Sequence, residues 1–201
     1  MSVRAHIGSG TVYLSPGWTN VDLPAARCLL AADRPDLVEA YATTPERYYA
    51  RHQEHNTVGS FASGPGTAPY LCDCFGRWDC LPFRAGEVVE LLARQSFEHL
   101  SQREAHAALA EVRRVLVAGG VLRLSVPDHE AGLKAYRETG DPVMARVLLG
   151  PRNCAEGYHL QSYTYDTLRE LVEGHGFAFV EREPNLHSYP SLCLVWRKVG
   201  A

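Results

Sequence analysis

The chain has 201 residues, 46% of them hydrophobic and 21% charged, with a net charge of −3 at neutral pH. That length buries a substantial core without disulfides or metal ions, and it fits one domain spanning 1–201. There is no basic field for a nucleic acid, no apolar run long enough to span a bilayer, and no apolar leader in MSVRAHIGSG, so a cytoplasmic protein with reduced cysteines is expected.

In chain order, Val3 to Ile7 reads as a strand running into Gly8-Ser9-Gly10, and Trp18 to Asp22 as a second strand ending on an acid. Residues 33–48 look helical, with Leu37, Val38, Tyr41 and Tyr48 on one face, and 59–69 form a Gly/Pro-rich loop. Together 33–69 read as an insertion or lid. Tyr70 to Asp73 is expected as a third strand, and Val88 to Ala93 as a buried one. Ser101 and Glu104 make a capping box for a helix whose apolar face is Ala105, Ala108, Leu109, Val112, Val115 and Leu116. Gly119-Gly120 is expected to stop that helix. Val121 to Val126, Phe177 to Glu181 and Leu192 to Arg197 complete the strands, with a helix over Tyr165 to Glu173.

Alternating strands and helices imply a mainly parallel sheet covered on both faces. Ligands of such sheets bind at the carboxyl ends of the strands, where Gly8, Gly10, Asp22, Asp73 and Asp128 fall. A glycine turn lets a ligand approach the backbone, and an acid ending the second strand suits a ribose diol, so an adenosine-containing ligand is expected. The dinucleotide fingerprint lacks its third glycine. Gly10 to Trp18 is also too short for a crossover helix, so no helix N-terminus awaits a pyrophosphate.

The segments HIGSG (6–10), GWTNVDL (17–23), LPF (81–83), FEHLS (97–101), ALAEVRRVLVAGGVLRLSVPD (108–128) and YHLQSYTYDTLRELVEGHGF (158–177) resemble class I S-adenosylmethionine-dependent methyltransferases, in the short bacterial form. The resemblance implies a Rossmann-like, doubly wound α/β fold with a seven-stranded, mainly parallel sheet whose last strand is antiparallel. It implies S-adenosylmethionine as cofactor, with Gly8 and Gly10 at its methionine part, Asp22 at the ribose, Asp73 or Asp79 near the adenine, and Ser96 among the residues beside the methyl group. The sequence departs from the family in having His6 where an acid is usual, no room for the first crossover helix, and seven residues between Asp73 and Leu81.

Methyl transfer from a sulfonium needs a positioned acceptor, and an alcohol acceptor gains from a base. Histidine suits that role near neutral pH. His99 follows the fourth strand, and His159 lies in a segment that could border the acceptor; both are the expected catalytic residues, with an anchoring role for the Glu98-His99-Leu100 turn as the structural alternative. His187, His52 and His55 are secondary candidates. No metal is expected, because Cys72, Cys74 and Cys80 lack the paired C-x-x-C units of zinc sites. Arg113-Arg114 reads as a solvated helix face. The acceptor is expected to be a small molecule methylated on oxygen or nitrogen, with a homodimer as the assembly to test. A non-catalytic partner or regulatory subunit on the same fold, and a different adenosine-ligand enzyme, are the alternatives.

Overall fold

A computed structural model describes residues 2–24, 28–48, 50, 70–150 and 158–200. In chain order the elements are β1 (Val3–Ile7), β2 (Tyr13–Leu14), β3 (Thr19–Asp22), β4 (Cys28–Leu30), α1 (Pro35–Tyr41), β5 (Ala42–Thr43), β6 (Tyr70–Cys72), β7 (Cys74–Phe75), β8 (Val88–Arg94), α2 (Gln102–Val115), β9 (Leu116–Pro127), α3 (His129–Thr139), α4 (Pro142–Leu149), α5 (Tyr165–Glu173), β10 (Phe177–Arg182) and β11 (Ser191–Lys198). The main sheet has seven strands in the order β10-β11-β9-β8-β1-β3-β7. β11 runs antiparallel to both of its neighbours, and the other pairings are parallel. No helix among the described residues is long and apolar enough to cross a membrane.

One face of this sheet is an ordinary α/β core. The Ser101 side chain accepts from the Glu104 amide while the Glu104 carboxylate accepts from the Ser101 amide, which starts α2. Ala105, Ala108, Leu109, Val112 and Val115 then point inward at helical spacing. With Leu168 and Val172 of α5, they pack on Ala5, Ile7, Leu91, Leu122, Leu124 and Leu194 of the sheet. Each large side chain so buried contributes roughly 1.5–3 kcal/mol.

The other face is different. Arg4, Glu90 and Arg123 project from β1, β8 and β9, and the Arg123 guanidinium bridges Glu90 to Glu183. Arg4 adds a second ion pair to Glu90 at 3.4 Å. A cavity of about 610 Å³ opens over this face, lined among others by Trp18, Pro45, Arg94 and Leu186. On this face Tyr48 packs with Val12, Leu14 and Leu92. The link from Gly8 to Trp18 holds only the two-residue β2 and no crossover helix.

Three local readings are corrected as well. Tyr70–Cys72 pairs with β4 in a separate two-stranded sheet, and the third strand of the main sheet is Cys74–Phe75. Within 33–48 the helix is interrupted: Pro35–Tyr41 is α-helical, Ala42–Thr43 pairs with β2, and Pro45 opens a short 3-10 turn that runs up to the helical Tyr48. Helix α2 ends at Val115 rather than at the glycines. Gly119, with φ of +72°, instead serves an irregularity inside β9, between the pairings Val88↔Leu116 and Glu90↔Val121. The loop 59–69, with most of the expected lid, lies outside the described residues. Arg114 does pair with Glu111 at the surface, whereas Arg113 donates to the Gly176 and Val199 carbonyls.

Candidate functional site

The carboxyl ends of β1, β3 and β8 meet at the glycine turn. Gly8 and Gly10 both have positive φ, +68° and +53°. At Gly8 a side chain is also excluded by space, since a Cβ there would lie 2.6 Å from the Ser96 Cβ. Ser96 thus fills the volume over Gly8, and its hydroxyl reaches the Ile7 carbonyl at 3.4 Å.

Asp22 organises the same turn. Its carboxylate accepts the Gly10 amide at 2.6 Å and the Leu23 amide at 2.7 Å, and the Ser9 hydroxyl lies 3.3 Å away. Burial pushes the Asp22 carboxyl up, and these donors oppose that rise. A carboxylate has about four lone-pair positions, of which donors among the described residues take three.

The other two acids are placed differently. Asp73 sits between β6 and β7, where it accepts the Tyr13 hydroxyl at 2.5 Å and the Asn20 backbone amide at 2.7 Å. Asp79 stands in an exposed turn against Arg77, at 2.9 Å, which holds its carboxyl below the usual range. His6, in the position where an acid was expected, is fully buried with Nδ1 3.0 Å from Asn20 Oδ1. Burial pushes it down to about 4.

Past Ser96 the chain makes a 3-10 turn, Phe97–His99. Phe97 enters the core between Trp78 and Tyr163. That insertion turns Glu98 inward, to 1% exposure. Neither Glu98 carboxyl oxygen has a hydrogen-bond partner among the described residues, and burial pushes the group up to about 8. The Glu98 carbonyl accepts the amides of Leu160 and Gln161 at 2.9 and 3.1 Å. This ties the segment carrying His159 to the turn carrying His99, so the two imidazoles lie 4.8 Å apart by centroid. His99 Nδ1 is 2.9 Å from the Tyr158 carbonyl, so Nδ1 carries the hydrogen and Nε2 keeps a lone pair. Burial lowers both histidines, His159 to about 4 with His99 adding to the effect. His159 Nε2 stands 3.9 Å from Glu98 Oε1. Burial favours the uncharged form of both groups, a carboxylic acid and an imidazole with one ring hydrogen, so this contact is not an ion pair.

The structure thus joins His99 to His159, and Gly8 to Ser96. His187 is apart from them, stacked on Tyr189 at 4.4 Å. His52 and His55 lie outside the described residues. Sequence reasoning missed two features. One is Glu98 as a buried acid, for which the only signal was its position between Phe97 and Leu100. The other is the brace around Gln95, a non-glycine residue at φ of +54°. Its side chain donates to Ser125 Oγ at 3.1 Å and accepts the Tyr189 hydroxyl at 3.1 Å. Cys72 meets Cys28, Sγ to Sγ, at 3.3 Å.

No protein-family model and no curated protein matches the chain by sequence. Solved structures do match it by shape. A SAM-dependent methyltransferase from Methanosarcina mazei superposes with a TM-score of 0.55 at 14% identity, over 97% of this chain and 91% of that one. One from Thermotoga maritima gives 0.51 at 15%, over 98% and 82%. The magnesium protoporphyrin IX methyltransferase of Synechocystis PCC 6803, with bound SAH, gives 0.50 at 14%, over 98% and 74%. With its strand order and single reversed strand, this chain has the class I S-adenosylmethionine-dependent methyltransferase fold.

Proposed function

We propose that the chain binds S-adenosylmethionine at the carboxyl ends of β1, β3 and β8 and transfers its methyl group to an oxygen or nitrogen of a small molecule. The observation that carries this reading is the pair of neutral imidazoles, His99 and His159, held together just beyond the Ser96 that packs on the glycine turn. Asp22 would accept a ribose hydroxyl, and Gly8 and Gly10 would face the methionine part. Asp73 or Asp79 would lie nearest the adenine. When bound, the cofactor supplies the electrophilic methyl. His99, with its Nε2 lone pair free, would take the proton that the acceptor loses on methylation.

Calorimetric titration with S-adenosylmethionine and S-adenosylhomocysteine tests the reading. Micromolar binding of both is expected, weakened at least tenfold in Asp22→Asn. A second reading, a non-catalytic partner or regulatory subunit, draws support from Ser96 filling the space over Gly8 and from the missing crossover helix. Absence of binding by a folded sample would favour it.

A further inference from the structure

We propose that Glu98, His99 and His159 form a binding site for one divalent cation of the zinc class. The site does not depend on the cofactor reading. One donor atom from each residue lies within 4.8 Å of the others. Ligands at ~2.0–2.2 Å from a tetrahedral cation lie roughly 3.3–3.6 Å from one another, so modest side-chain rotation closes the cluster.

Three independent features support a cation rather than a packing accident. First, both Glu98 oxygens are buried without a partner among the described residues, and the nearest imidazole nitrogen, at 3.9 Å, is beyond hydrogen-bond reach. A buried carboxyl with no hydrogen-bond partner is unfavourable, and a cation that displaces its proton to solvent gives its oxygens one. Second, the Tyr158 carbonyl takes the Nδ1 hydrogen of His99 and leaves Nε2 as the donor. Metal-bound imidazoles are oriented by this kind of outer hydrogen bond. Third, the two segments are locked to each other by the Leu160 and Gln161 amides on the Glu98 carbonyl, so the donors are pre-positioned.

Two imidazoles and one carboxylate suit zinc, cobalt, nickel or iron. Magnesium and calcium prefer all-oxygen sets. Three protein ligands also leave a coordination position open to a water or an acceptor oxygen. With the cation in place the His99 lone pair is committed to it. Activation of an acceptor would then come from polarisation by the metal rather than from a free base.

The test is titration of chelator-stripped full chain with Zn2+ in competition with a chromophoric chelator, in the absence of S-adenosylmethionine. One equivalent is expected to bind at micromolar or tighter affinity. Glu98→Gln and His159→Ala should each weaken it at least tenfold, with folding checked by circular dichroism. His106→Ala should leave it unchanged, although His106 and His175 form another imidazole pair at 3.1 Å. Co2+ provides a second readout that needs only the wild-type chain. Visible bands of nitrogen and oxygen ligation are expected, and a thiolate charge-transfer band would move the metal to the cysteines and overturn the proposal. Binding no tighter than millimolar, or unchanged in Glu98→Gln, would overturn it too. Cofactor binding is measured separately, so failure of one reading leaves the other standing.

Discussion

Asp22 and Glu98 are two acids near the carboxyl ends of β3 and β8, parallel strands with β1 between them, and burial pushes both upward. They differ in what surrounds them. Asp22 receives two amides and a hydroxyl, all from its own turn and the residue after it. Glu98 receives no hydrogen bond on either oxygen among the described residues. The first acid builds local structure; the second is left unsatisfied in a place where two imidazoles converge. A carboxyl shielded from water is stabilised where donors meet it and costs free energy where none do.

The largest expected effect tests the satisfied acid. Asp22→Ala strands the Gly10 and Leu23 amides and should cost about 3 kcal/mol of stability in urea denaturation. A loss below about 1 kcal/mol would break the contrast, showing that the turn holds its shape without the carboxylate.

His6 is an intermediate case, with one ring nitrogen bonded to Asn20 and the other, Nε2, buried without a hydrogen-bond partner among the described residues. The Arg94 charge and the Tyr48 ring face it, and its pKa falls to about 4. The unfolded chain protonates near 6.5 while the folded one does not, so stability is full above pH 6.5 and is lost as pH falls toward 4. His6→Gln should remove on the order of 3 kcal/mol of that loss, read as a shallower fall of denaturation midpoints across this window. An unchanged slope would mean that His6 is not a neutral buried base.

The smallest effect has the opposite sign. In metal-free protein, Glu98→Leu should stabilise the fold by about 1 kcal/mol, because an unsatisfied carboxyl gives way to an apolar side chain of similar size. A thermal melt against wild type measures it. Destabilisation would reveal a hydrogen-bond partner for Glu98 and remove the contrast with Asp22.

The legible parts of the molecule were those written in local pattern. The 101–115 helix announced itself through Ser101, Glu104 and the apolar spacing that follows. The strands at Val3, Thr19, Val88 and Phe177 fall where apolar runs end at turns or acids. The third strand was displaced by a few residues because YLC and CF are both short and β-prone, and only pairing partners distinguish them. Asp73 and Asp22 looked alike as strand-ending acids. Nothing local shows that one is bonded by Tyr13 and Asn20 and the other by a glycine turn.

Sequence by itself determined the α/β alternation, the glycine turn with its acid, and the lack of a first crossover helix, since each depends on spacing along the chain. Tertiary structure alone decided which acid is satisfied and that His159 meets His99 over Glu98. Those outcomes depend on long-range packing: Phe97 inserting between Trp78 and Tyr163 turns Glu98 inward, and the Leu160 and Gln161 amides bring the second histidine to it.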